Sequence, residues 1–121
     1  MSLYVLAAVE EMFFASRIRA VAAELAIEVR FEKSTEAVLA AARAAQPTLI
    51  IADLHAQRCD PLALARSLKS DEELKAVPLV GFFSHVHTAL QRETQSAGFN
   101  RLLPRSAFTK RLPEILQGNL S

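Results

Sequence analysis

One cysteine, no tryptophan and three glycines are all that this 121-residue sequence holds of those types, and each scarcity removes a class of answer. Cys59 alone cannot close an internal disulfide, so stability must rest on packing; nothing calls for an oxidising compartment, and the cytoplasm is the expected location. Gly81, Gly98 and Gly118 are scattered and form no closely spaced set ahead of a helix, which argues against a loop cradling the phosphates of a nucleotide or flavin. No apolar run approaches the ~20 residues of a membrane span. The apolar opening lacks a basic leader and meets Glu10 and Glu11 too early for a secretory signal. Charge of one sign is missing too: 14 Lys and Arg against 13 Asp and Glu leave +1, which gives no global field for nucleic acid or an anionic membrane. No Gly-x-Ser-x-Gly elbow occurs and no nucleophile stands beside an evident base, so the chain is not expected to be an enzyme.

What is present is an ordinary core. With 51% apolar and 22% charged residues, disorder is excluded, and the length suits one domain over residues 1–121 with no linker or repeat. Leu3 to Val9 reads as a strand buried on both faces, because parallel strands lose the in/out alternation. Phe14, Ile18, Val21, Ala22 and Leu25 fall on one helical stripe. Ile27 to Phe31 alternates like a strand nearer the edge, and Ser34 offers an N-cap to a helix running to about Ala45, with Glu36 near its positive end. Pro47 stops that helix ahead of a dense apolar strand, Thr48 to Ala52, ending at Asp53. Pro61 suits a first helical turn, with Leu62, Ala65 and Leu68 continuing the face. Leu79 to Phe83 is a fourth strand, Thr88 to Ala97 a polar helix, Gly98 its terminator, Phe99 to Leu103 a fifth strand. A closing helix carries Leu112, Ile115 and Leu116, with Pro113 in or near its first turn.

This alternation predicts an α/β, flavodoxin-like three-layer sandwich: a five-stranded parallel sheet of order 2-1-3-4-5 with five helices, since right-handed crossovers put helices on both faces. Chemistry in such sheets sits beyond the carboxyl ends of the strands. The residues there are Val9, Glu10, Asp53, Phe83, Ser84 and Arg105.

The segment Leu49-Ile-Ile-Ala-Asp53-Leu followed by Asp60-Pro61, with Val77-Pro78 before strand four and Ala97-Gly98 before strand five, resembles the receiver domains of two-component response regulators over nearly the whole chain. Pro61 replaces the usual glycine. The resemblance implies a phosphoacceptor at Asp53, two Mg²⁺-binding acids after strand one, a hydroxyl ending strand four and a lysine ending strand five. Hard Mg²⁺ wants carboxylate oxygens, while hydroxyl and ammonium donors hold the phosphoryl oxygens. Here the acids fall on Val9 and Glu10, the hydroxyl on Phe83 and the lysine on Arg105, and Leu102 stands where receivers often have a switching Tyr or Phe.

The sequence therefore resembles a receiver with a degenerate phosphorylation site, a pseudo-receiver acting by protein–protein interaction. Mg²⁺ on Glu10, Asp53 and a carbonyl near His55 is expected to be weak or absent, unless Glu11 compensates for Val9; no other cofactor is expected. Ser84 supplies a hydroxyl only if the strand end shifts, and a one-residue slip inverts side-chain direction. Arg105 is expected to fork onto Asp53 and lock the site. Asp53 has two readings, a structural ion-paired carboxylate and a residual phosphoacceptor.

The alternative function is a competent receiver taking phosphate on Asp53 from a histidine kinase, with Glu10, Asp53 and, where it compensates for Val9, Glu11 on the metal and Arg105 gripping the phosphoryl group. A distant third is a metal-dependent small-molecule site using His55, His85 and His87. Cys59 is reactive only if its pKa is lowered; otherwise it fills space. Gln91, Arg92, Gln95, Arg101, Lys110 and Arg111 mark a surface that receivers use for output partners or homodimers, across helix four, strand five and helix five. The expected partners are a histidine kinase or an output protein, with no direct nucleic acid and no membrane.

Overall fold

The computed structural model describes residues 3–84 and 88–120. Strands β1 (Tyr4–Ala8), β2 (Glu28–Phe31), β3 (Leu49–Asp53), β4 (Leu79–Phe83) and β5 (Arg101–Pro104) form one sheet of order β2-β1-β3-β4-β5. Every pairing is parallel. This is the predicted flavodoxin-like topology, with strand ends shifted by one or two residues. Helices α1 (Met12–Glu24), α2 (Thr35–Ala44), α3 (Pro61–Ser70) and α4 (Thr88–Ala97) follow the first four strands.

The closing helix departs from a single element. It is divided into α5 (Arg105–Lys110) and α6 (Leu112–Leu116), joined at Arg111, with Pro113 in the first turn of α6. A proline has no N–H to give a carbonyl four residues back and its ring crowds that carbonyl, so the helix breaks just before it.

Because successive strand residues face opposite sides, the sheet serves two cores. Tyr4, Leu6, Ile50, Ala52 and Leu79 pack with Val38, Leu64, Leu68 and Phe99 on the α2–α4 side. Val5, Ala7, Ile51, Val80 and Phe82 pack with Phe14, Ile18, Phe108, Leu112 and Ile115 on the other. There Phe14, Phe82 and Phe108 form a ring cluster, with centroids 4.6 Å apart for Phe14–Phe82 and 4.8 Å for Phe82–Phe108.

Local signals act as read. The Ser34 hydroxyl accepts from the Ala37 N–H at 3.1 Å, and Gly98 takes a positive φ of 124° at the end of α4. Gly81 is needed for space: a Cβ there would stand 2.5 Å from Leu54 Cδ1, 2.8 Å from Phe99 and 2.9 Å from Leu102. Large side chains around β4 fill the room its own residue gives up. Among the described residues no helix is long and apolar enough to cross a membrane.

Candidate functional site

The carboxyl edge of the sheet gathers Val9, Glu10 and Glu11 from the β1–α1 loop, Asp53 and His55 from the end of β3, Phe83 and Ser84 from β4, and Arg105 from the first position of α5. Short parallel strands in register bring these ends to one level: Ala8 lies beside Ala52, Asp53 beside Phe82 and Phe83 beside Pro104.

Asp53 is half-buried. Its Oδ1 accepts the His55 backbone N–H at 2.9 Å, a turn that fixes the carboxylate at the strand end. Burial pushes its pKa up, against the pull of that N–H, of the His55 side chain and of Arg105; the nearby Glu11 charge adds to the rise. The site therefore favours a neutral Asp53 more than water does.

The acids beside it are engaged. Glu10 Oε1 accepts the Arg58 N–H at 2.8 Å, tying the β1–α1 loop to the β3–α3 loop. Glu11 sits at the N-cap of α1 but makes no capping bond; its carboxylate pairs with the Arg105 guanidinium. Arg105 also lies 4.2 Å over the Phe14 ring, a cation–π contact. The expected fork of Arg105 onto Asp53 is thus corrected. Glu11 is the ion-pair partner, because α5 begins beside the start of α1, and Arg105 reaches Asp53 only through its field.

Val9 is 2% exposed and packs with Phe14 and Ile18; it offers the pocket no oxygen. Phe83 is half-buried and packs into the core on the α2–α4 side, the face opposite that of its neighbour Phe82. A ring held by core contacts stands where the resemblance implies a hydroxyl. Ser84 is exposed and stands one residue past the strand. Leu102 is half-buried against the same core as Phe83, so it packs and carries no polar tip.

At the positions where the resemblance implies magnesium ligands the carboxylates are Glu10, which accepts a backbone N–H, and Asp53. Among the described residues no group of three or more His, Cys, Asp or Glu side chains is placed to hold a metal ion. His55 is exposed, and His85 and His87, named for a metal site, lie outside the described residues.

Cys59 is buried, and that burial pushes its pKa up against the pull of the Thr35 side chain. Cys59 thereby fills space in the α2–α4 core, since the thiolate is the reactive form. The adjacent Asp60 caps α3, accepting from the Leu62 and Ala63 N–H groups at 3.0 and 3.2 Å.

On the α4–β5–α5 surface Arg92, Gln95 and Lys110 are exposed, while Gln91, Arg101 and Arg111 are half-buried; Arg111 Nε lies 3.7 Å from Glu114. Sequence reasoning passed over Met12, Phe13 and Arg17 in α1. Phe13 and Arg17 are four residues apart and off the Phe14–Ile18–Ala22 stripe, a spacing that marks them as an outward face.

No protein-family model matches the sequence, and no curated protein does. Solved structures do match the fold. A response regulator from Hahella chejuensis superposes with a TM-score of 0.86 at 19% identity, covering 99% of this chain and 96% of that one. The chemotaxis response regulator CheY4 of Vibrio cholerae gives 0.84 at 18% identity, with 99% and 100% covered. The receiver domain of a sensor histidine kinase from Pseudomonas aeruginosa, which has magnesium coordinated in its active-site cleft, gives 0.83 at 18% identity, with 98% and 97% covered. The structure neighbours are response-regulator receiver domains, and the likeness establishes their fold in this chain.

Proposed function

We propose, starting from a receiver fold with an altered strand-end pocket, that this chain is a cytoplasmic signalling module of the two-component type. It works by protein–protein interaction, without the magnesium-dependent phosphoryl switch and not as an enzyme. One observation carries the reading: the pocket's charged groups are committed to one another and to the backbone. Glu10 holds the Arg58 N–H and Glu11 holds Arg105, while Val9 belongs to the core. A doubly charged acyl phosphate at Asp53 would lack a neutralising cation, and its oxygens would find no hydroxyl at Phe83.

In this reading the docking surface is the α4–β5–α5 face carrying Arg92, Gln95, Arg101 and Lys110, and its partner is a histidine kinase, an output protein or a second copy. Incubating the chain with acetyl phosphate and Mg²⁺ and weighing it intact should leave its mass unchanged. A gain of one phosphoryl group that vanishes in Asp53→Asn would establish the competing reading, phosphotransfer to Asp53. That second reading draws support from the field of Arg105 at the Asp53 carboxylate.

A further inference from the structure

We propose that the groove between α3 and α4 binds a small acidic α-amino acid, a ligand with two carboxylates and one ammonium. The inference goes beyond the interaction-module reading and does not depend on it. The groove shares no residue with the strand-end pocket, and only Arg92 with the α4–β5–α5 face.

Leu64 and Leu68 of α3 and Leu90 and Ala97 of α4 belong to one core, which holds the two helices side by side. The stem of Lys69 seals their contact at one end: a Cβ on Gly98 would stand 2.6 Å from its Cγ. The Lys69 ammonium is spent on the Lys75 carbonyl at 3.1 Å. Outside that seam Arg66 of α3 and Arg92, Glu93, Ser96 and Ala97 of α4 line a groove of about 320 Å³. The four α4 residues share one side of the helix because 92 and 96, and 93 and 97, are each one turn apart.

Arg66, Arg92 and Glu93 are exposed, and none has an ion-pair partner among the described residues. Acids that follow Arg66 in the chain are taken elsewhere, Asp71 by Arg43 and Glu72 by Lys75. The groove therefore displays two guanidinium groups, one carboxylate and one hydroxyl, and two cations less one anion leave +1.

An acidic α-amino acid answers these groups one for one and carries the opposite net charge. Each guanidinium takes a carboxylate, which its planar fork suits; Glu93 takes the ammonium, the Ser96 hydroxyl donates to a carboxylate oxygen, and Ala97 meets the methylenes. The volume admits a ligand of that size. Inorganic phosphate or a plain dicarboxylate would set an anion against Glu93, and a polyamine would meet two guanidinium groups.

In a ¹⁵N–¹H titration at fixed pH and ionic strength, L-glutamate should shift the amides around Arg66 and Ser96 and saturate with a Kd of about 0.1–1 mM, in keeping with ~10 heavy atoms on an open surface. Glutarate, which lacks the ammonium, and L-glutamine, which lacks one carboxylate, should each bind about threefold more weakly, the worth of one exposed ion pair. Arg66→Gln should weaken L-glutamate by the same factor. Glu93→Gln should weaken L-glutamate and strengthen glutarate, so that their order inverts. Lys33→Gln, just ahead of α2, should change neither. All three side chains are exposed, so thermal melts of the variants should match the wild type.

Equal affinity for L-glutamate, glutarate and inorganic phosphate would reduce the groove to an unselective anion patch and overturn the proposal. So would the absence of a saturable shift by ~10 mM L-glutamate, shifts centred on Asp53, or an unchanged ligand order in Glu93→Gln. The phosphodonor mass measurement reads a different site: a phosphate gain there sinks the switchless reading and leaves the groove standing, and a failed titration does the reverse.

Discussion

Replacing Arg105 by glutamine should weaken the domain by about 1 kcal/mol, through two separable contacts. The guanidinium pairs with Glu11, but the two side chains are 38% and 42% exposed, so water screens the pair and it contributes ~0.5 kcal/mol. Its position 4.2 Å over Phe14 adds ~0.5–1 kcal/mol for a partly exposed cation–π contact. Urea titrations of the wild type, Glu11→Gln, Arg105→Gln and the double variant isolate the pair as a coupling energy of ~0.5 kcal/mol. Raising the salt to ~1 M, where the screening length falls to ~3 Å, should remove most of that coupling and leave the Phe14 contribution in place. In thermal melts Arg105→Gln should lose about 4 °C. Running the same cycle with Asp53→Asn supplies the refutation. If Arg105 couples to Asp53 as strongly as the value expected for Glu11, and not to Glu11, the guanidinium sits on the acceptor aspartate and the account of the pocket is wrong.

Asp53 itself predicts a pH signature. Its pKa is raised in the folded state, first by burial and then by the Glu11 charge, against the opposing pull of His55 and Arg105. The folded protein therefore binds more protons than the unfolded chain between the two pKa values, and stability falls as pH rises through that window. Asp53→Asn keeps an oxygen for the His55 N–H and removes the charge. It should be more stable than wild type above the native Asp53 pKa, with the advantage shrinking toward zero below the ordinary carboxylate value. An advantage independent of pH in urea titrations would contradict the burial argument. Gly81→Ala should cost ~1–3 kcal/mol by overpacking, because its methyl would lie 2.5 Å from Leu54 Cδ1 and 2.9 Å from Leu102. Combining it with Leu102→Ala should cost less than the sum of the two, and a neutral Gly81→Ala would show that the β4–β5 layer is looser than described.

How much of this was legible beforehand differs from residue to residue. Ser34 announced its helix because an N-cap bond spans only three residues, and Pro61 and Pro113 announced helical starts for a similarly local reason. The apolar runs at Leu49–Ala52 and Leu79–Phe83 identified buried parallel strands, and with two central strands and the βα alternation the sheet order followed. The positions of Val9, Glu10, Asp53 and Arg105 at the carboxyl edge were legible too, since strand ends are set by the same pattern. Their partners were not. Glu11 was assigned only a conditional part in a metal site, yet it takes Arg105, because α1 and α5 start side by side across 94 residues of sequence. Chain position says nothing of that separation in space.

The sequence by itself determined the alternating elements, the faces they bury and the lack of an acid at residue 9, because hydrophobic period, caps and residue chemistry are local properties. The tertiary structure alone decided that Glu10 spends an oxygen on the Arg58 N–H, that Phe83 is held in the α2–α4 core, and that Met12 and Phe13 are left in water. Each of those outcomes depends on which distant segment arrives beside the side chain, and only closure of the sheet with its two helical layers fixes that.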